Sequence, residues 1–161
     1  YTMSLTLRAA QNSDLEQLNE MMFDLHHYHH LASPEHFKTA EEIEQEKSIA
    51  RYLDDPQCLV YVALKGQLIV GFVTGHFCEL VSTVSKPVQM GSIDELFVLP
   101  EYRNQAIAEK LFSKLEKTFD DYGVQQVFVE VWDFNDNAKH FYQKMGFIPH
   151  IQWWRKSLVK S

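Results

Sequence analysis

The chain has 161 residues, 45% of them hydrophobic and 13% aromatic, enough to build one domain around a sizeable core and too few for two ordinary ones. Its 15 basic and 22 acidic side chains leave a net charge of -7, so the surface as a whole repels a polyanion and nucleic acid is not an expected partner. No stretch reaches the roughly 18 to 20 apolar residues of a membrane span, and the first residues lack the basic and apolar zones of a signal peptide, which leads to the expectation of a cytoplasmic protein with no membrane partner.

Thr6 to Ala9 reads as an opening strand, and Ser13-Asp-Leu-Glu16 has the S-x-x-E form of a capping box. Leu15, Leu18, Met22 and Leu25 then recur at helical spacing, carrying a helix to HHYHH at 26 to 30, and Ser33-Pro34 ends it. A second helix is predicted over residues 41 to 53, with Ile43, Ala50 and Leu53 along one side and glutamates in its early turns, where the helix dipole favours anions. The period then changes. CLVYVALK (58 to 65) and QLIVGFVTGHFCEL (67 to 80) are β-branched and aromatic runs joined across Lys65-Gly66 as a hairpin, and MGSIDELFVLP (90 to 100) is a third such strand, ended by a proline. Cys58 and Cys78 lie inside these apolar runs, as buried free thiols rather than a disulfide framework.

Helical spacing returns over residues 103 to 122, where Ile107, Leu111, Leu115 and Phe119 form an apolar stripe with lysines outward, and Gly123 is a natural stop. QQVFVEVW (125 to 132) reads as a strand, 135 to 145 as a short helix closed by Gly146, and FIPHIQWWRKSLV as a final strand pair or bent strand. The order is mixed α/β: an antiparallel front half, then a strand, helix, strand crossover at 93 to 132 that calls for a parallel pair.

Two stretches carry chemistry. PEYRNQAIAEKLF (100 to 112) hands a strand to a helix, and a helix start exposes N–H groups with no intrahelical partner together with the positive end of the macrodipole. Arg103 adds a fixed charge there. Such turns usually contain glycine for unusual dihedrals and close approach; this one has Ala106 and Ala108, which fits if residues 105 to 108 already lie in the first helical turn. The second stretch is NDNAKHFYQKMGF (135 to 147). HHYHH places His26 and His30 at i, i+4, but no HExxH and no third ligand stand at metal spacing, so the cluster reads as solvated or substrate-lining and no metal is expected.

DELFVLPEYRNQAIAEKLF followed by NDNAKHFYQKMGF resembles the GNAT superfamily of acetyl-CoA-dependent N-acetyltransferases. Its phosphate turn, R/Q-x-x-G-x-G/A, is matched at Arg103 and Ala108 and departed from at Ala106, while N-x-x-A-x-x-F-Y-x-x-x-G-F is matched throughout. The resemblance implies a single domain over residues 1 to 161, and a splayed parallel strand pair in which pantetheine adds to the first strand beside Phe97 and Val98. The Val98 N–H would polarise the acetyl oxygen. Arg103, Asn104, Gln105, Ala106, Ile107 and Ala108 would hold the diphosphate, with Asn135 and Ala138 completing the coenzyme contacts. Tyr142 is implied as the acid toward the coenzyme sulfur.

Asp94 and Glu95 are implied to bind or deprotonate the amine, although adjacent positions on a regular strand point to opposite faces, so only one of them is expected to face it. Asn135 reads equally as the N-cap of its helix. His29, His30 and Glu130 are candidates for lining the acceptor site, Glu130 reading equally as a rim residue. The expected reaction is acetyl transfer from acetyl-CoA to a primary amine of a small molecule or peptide, by direct attack in a ternary complex. A non-catalytic acyl-CoA sensor or interaction module is the rival, motivated by the glycine-free turn. A homodimer, with QWW at 152 to 154 against a partner, is compatible with the sequence.

Overall fold

The computed structural model describes residues 4–80 and 82–160, in two compact units, residues 1–130 and 131–161. The first contains β1 (Leu5–Ala9), α1 (Leu15–Ala32), α2 (Ala40–Glu46), α3 (Ile49–Asp54), β2 (Cys58–Lys65), β3 (Leu68–Leu80), β4 (Val88–Val98), α4 (Ile107–Asp121) and β5 (Gln126–Val129). The second contains α5 (Asp136–Lys144). Among the described residues, no helix is long and apolar enough to cross a membrane.

The five strands stand in the order β1-β2-β3-β4-β5, antiparallel up to β4 and parallel between β4 and β5. A parallel neighbour needs a crossover, and α4 supplies it. The predicted stripe of α4 is the buried one: Ile107, Leu111, Leu115 and Phe119 are all at most 2% exposed. They lie on a floor flattened by glycine. A Cβ on Gly91 would fall 2.6 Å from the Phe119 ring, and one on Gly75 would meet Leu115 at 3.1 Å. The opposite face of the sheet packs Val60, Val62, Phe72 and Phe97 against Leu18, Met21, Met22 and Leu25 of α1 and Ile49 of α3. One sheet thus carries two helical layers, the mixed α/β architecture read from the sequence.

Five local expectations are corrected. The Ser13–Glu16 capping box does not form; instead a 3-10 turn at Asn12–Asp14 leads into α1, and the Asp14 carboxylate accepts the Gln11 N–H at 2.8 Å while pairing with Arg8. The single helix over 41 to 53 is two, because Lys47 and Ser48 are extended and the Ser48 hydroxyl accepts the Ala50 N–H at 3.2 Å, starting α3 afresh. The predicted strand over 125 to 132 is paired only at Gln126–Val129, and no strand forms between 147 and 160. A strand exists only when a neighbour takes its hydrogen bonds, and among the described residues of the second unit the sole regular element is α5.

The last correction matters most. The β3–β4 register passes from Gly75↔Ile93 directly to Thr74↔Glu95, so Asp94 is an extra residue on β4, a β-bulge. The two strands close tightly there: a Cβ on Gly75 would stand 2.6 Å from the Ser92 carbonyl oxygen. Backbone cannot swing aside as a side chain can, so Gly75→Ala should destabilise the protein by about 1–3 kcal/mol, read as a lower urea midpoint with an unchanged slope.

Candidate functional site

At the bulge, two consecutive carboxylates turn to the same face of the sheet. Asp94 accepts from the Tyr52 hydroxyl of α3 at 3.3 Å, from His76 Nδ1 at 2.7 Å and from the Ser92 hydroxyl at 3.1 Å. Glu95 accepts from the Thr74 hydroxyl and pairs with the Nζ of Lys47 in the α2–α3 break, while its own N–H donates back to Thr74 Oγ1 at 2.9 Å. The expectation that these adjacent side chains point to opposite faces is therefore corrected: strand alternation fails where the bulge adds a residue.

The two acids differ in surroundings. The Glu95 side chain is 5% exposed and its two oxygens are taken by Lys47 and Thr74, whereas Asp94 is 16% exposed and bonded to a histidine that is 38% exposed. Burial, reinforced by the charges of Glu95 and Asp94, pushes the Tyr52 hydroxyl far above the usual phenol range, so it remains a donor. Lys47 Nζ also lies 5.3 Å from the centre of the Tyr52 ring. Lys47, Tyr52, Thr74, Ser92 and His76 were not among the residues singled out from sequence. His76 sits in an ordinary strand run, and nothing in its neighbours marks it.

The end of β4 is built differently. The Leu99 N–H donates to the Val70 carbonyl of β3 at 2.9 Å, so by strand alternation the Val98 N–H points to the other side, toward β5. The β4–β5 ladder stops at Ile93↔Val129, leaving that side of β4 without a strand at Val98. Arg103 folds back on this end: its Nε donates to the Val98 carbonyl at 3.0 Å and its guanidinium lies 5.7 Å from the centre of the Phe97 ring.

The turn after β4 does not begin the helix early. Asn104 and Ala106 have φ of 64° and 61°, in the left-handed region; at Ala106 the turn pattern calls for glycine, and α4 starts only at Ile107. The expectation that residues 105 to 108 avoid positive φ is overturned. The first backbone bond onto α4 runs from Lys110 N–H to the Ala106 carbonyl at 3.1 Å, so the N–H groups of Ile107 and Ala108 precede any intrahelical acceptor. Lys65 reaches the same turn, donating to Gln105 Oε1 at 3.0 Å.

The histidines have structural explanations. His29 stacks on Phe37 with ring centres 5.1 Å apart, and His30 Nδ1 lies 2.9 Å from the Phe37 carbonyl oxygen, fastening the end of α1 to the following turn. His26 lines a small cleft between α1 and α2 with Met22, Ile43 and Lys47; burial, helped by the charges of Lys47 and His29, lowers its pKa to about 4, so it is neutral at neutral pH. Among the described residues, no group of three or more His, Cys, Asp and Glu is placed to hold a metal ion. Glu130 is exposed.

In the second unit, the Asn135 side chain accepts the Ala138 N–H at 3.1 Å, the N-cap reading. Tyr142 packs edge-on against Phe141 and Phe147, and burial pushes its hydroxyl up to about 12. Burial likewise raises both thiols, Cys58 to about 11.

Residues 22–147, spanning the bulged strand, the left-handed turn and α5, match the acetyltransferase (GNAT) family. The chain belongs to the GNAT family. A crystal structure of an acetyltransferase from Vibrio fischeri is 50% identical, covers 79% of this chain and 96% of its own, and superposes with a TM-score of 0.64. The thialysine N-epsilon-acetyltransferase of Sus scrofa is 26% identical over 89% of this chain and 84% of its own length. The aminoglycoside N-acetyltransferase AAC(6')-Iy, crystallised with CoA, shares the fold at 14% identity and a TM-score of 0.72, with 97% of each chain covered.

Measured against the GNAT turn pattern, Ala106 holds a backbone conformation that costs an L-residue about 1–2 kcal/mol. Ala106→Gly should therefore raise stability by about 1 kcal/mol, roughly 2–4 °C in melting temperature; a lowered melting temperature would contradict the left-handed turn. Lys47→Met should act in the opposite sense. It leaves the Glu95 carboxylate buried without its cation and should cost about 2–4 kcal/mol in urea unfolding, below the figure for a wholly buried pair because Lys47 is partly exposed. Adding Glu95→Gln should recover much of that loss.

Proposed function

We propose that the chain, residues 1–161 acting as one domain, moves the acetyl group of acetyl-CoA to a primary amine of a small molecule or peptide by direct attack in a ternary complex. The observation that carries this reading is the end of β4: a Val98 N–H turned to a side with no strand, directly before a turn that opens unpaired helix-start amides beside Arg103 and Lys65. An extended pantetheine arm can pair along such a strand, and a diphosphate can sit on such amides. The Val98 N–H then faces the thioester oxygen, where charge develops as the amine attacks. Asn104 to Ala108 supply the diphosphate's donors, and Asn135 keeps its amide nitrogen for the coenzyme while its oxygen caps α5.

Three features support the chemistry. Both cysteines have raised pKa values and stay thiols at neutral pH, which disfavours an acetyl-enzyme. Tyr142 keeps its proton to about pH 12 and so can deliver it to the departing thiolate. Asp94 accepts hydrogen bonds from three donors on the α1–α3 face of the sheet, where it is placed to bind an incoming amine. The names of relatives support an amine acceptor: the pig enzyme is a thialysine N-epsilon-acetyltransferase and AAC(6')-Iy an aminoglycoside N-acetyltransferase.

Thiol release from acetyl-CoA, followed with a panel of diamines, thialysine, aminoglycosides and lysine peptides, tests the proposal. Turnover with at least one amine is expected; coenzyme binding with no thiol released from any would reduce the chain to a coenzyme sensor. With the best acceptor, Tyr142→Phe should lower kcat about 100-fold while the KM for acetyl-CoA changes little. Equal turnover in the two proteins would remove Tyr142 from the reaction.

A further inference from the structure

Two cations beside the turn between β4 and α4 are matched by no acid of the protein. On β2, Val60, Val62 and Leu64 belong to the core on the α1 side, so the alternate side chains face α4. Tyr61 meets Thr118 of α4 there, oxygen to oxygen at 2.6 Å, and Lys65, at the end of the same strand face, reaches the turn that starts the helix. Its ammonium donates to Gln105 Oε1 at 3.0 Å and lies 5.6 Å from the centre of the Tyr102 ring. Arg103 is likewise held by a carbonyl oxygen and an aromatic ring. These partners are all neutral. Among the described residues no carboxylate forms an ion pair with either cation, whereas Arg8, Lys38, Lys47, Lys117 and Lys139 each have one. In a chain of net charge -7, which repels polyphosphates as a whole, two unmatched cations concentrate the attraction for an anion at one place.

Resting on the coenzyme half of the acetyltransferase reading, we propose that Lys65 is a further coenzyme-binding residue, whose ammonium leaves the Gln105 amide oxygen for a phosphate oxygen of CoA. The bond to phosphate is assisted by charge on both sides and is the stronger of the two. Gln105 stands two residues before the Ile107 N–H, and the flexible four-carbon stem of a lysine lets Nζ turn from that side chain to an anion seated on the amide. Arg103, tied by its Nε to β4, keeps its charge in place. The need for a second cation arises at Ala106. Its methyl group stands at the rim where the family pattern has glycine. An anion kept further out loses hydrogen bonding to the amides steeply, but coulombic attraction only as the inverse of distance. Lys65 thereby supplies a contact that tolerates the alanine.

Calorimetric Kd values for CoA and 3′-dephospho-CoA are compared in wild type, Lys65→Gln and Lys65→Arg. Each is measured at about 0.1 M and about 1 M salt, between which the screening length falls from roughly 10 Å to roughly 3 Å. Glutamine keeps a donor for Gln105 Oε1 and removes only the charge. Lys65→Gln should weaken CoA about 10-fold or more at the lower salt and less than about threefold at the higher. Lys65→Arg should stay within about threefold of wild type. With 3′-dephospho-CoA, a loss that persists assigns Lys65 to the diphosphate, and one that disappears assigns it to the 3′-phosphate. A lower-salt loss under about threefold, a loss that salt does not reduce, or a Lys65→Arg protein as weak as Lys65→Gln would each overturn the proposal. In the second case Lys65 is only a brace for the turn. Wild type that gives no heat with millimolar CoA would overturn the coenzyme reading, and this proposal with it, whereas binding in this pattern without thiol release from acetyl-CoA would overturn the acetyltransferase and leave the Lys65 site standing.

Discussion

Burying one carboxylate organises the α1–α3 side of this molecule. Glu95 lies in the middle of the sheet with 7% of its surface exposed, and a lone ion there would cost several kcal/mol. Thr74 covers one oxygen from the neighbouring strand, but a hydroxyl carries no charge. The cation comes from Lys47, and a lysine inside a continuous helix over 41 to 53 would follow that helix's face. Two extended residues at 47 and 48 break the helix, Ser48 caps its second half, and the ammonium reaches the strand. The broken helix, the buried acid and the position of Tyr52 at the start of the chemical cluster are one solution to one electrostatic demand.

The bulge converts that demand into a division of labour. On a regular strand, satisfying Glu95 from the α1–α3 side would turn Asp94 away toward α4 and its apolar stripe. Inserting Asp94 as an extra residue keeps both acids on one face. They then acquire opposite characters: Glu95 is spent on holding helices to sheet, while Asp94, bound by neutral donors and a half-open histidine, retains a connection to solvent. Neither acid is a solvated strand-end residue, and Asp94 is the one whose hydrogen-bonded partner, His76, reaches the surface.

Much of this was legible in the sequence where periodicity or a fixed spacing carries the information. The apolar stripe of α4, the hairpin across Gly66, the crossover and the two GNAT motifs all follow from patterns a few residues long, and they place β4 and its turn correctly. What escaped depends on pairs distant in the chain. Lys47 meets Glu95 across 48 residues and His76 meets Asp94 across 18, and neither pairing leaves a local trace. A bulge is equally silent, because one extra residue in IDELF does not disturb the composition of a strand. The left-handed turn was misread for a related reason. Alanine prefers helical dihedrals, and at Ala106 tertiary context overrides that preference.

The means of that override are visible around Ala106. Arg103 is clamped to the last carbonyl of β4 and laid over Phe97, Lys65 of β2 holds Gln105, and Ile107 immediately enters the buried stripe of α4. With both flanks pinned, the intervening backbone has to reverse within a few residues, and left-handed dihedrals at Asn104 and Ala106 accomplish it. Asparagine tolerates that region and alanine does so at about 1–2 kcal/mol. The path of the turn is therefore set by its anchors rather than by the residue at its centre. A glycine would relieve strain without defining the shape, and its absence costs stability rather than geometry: the amides of Ile107 and Ala108 still precede any intrahelical partner, with one methyl group added at the rim.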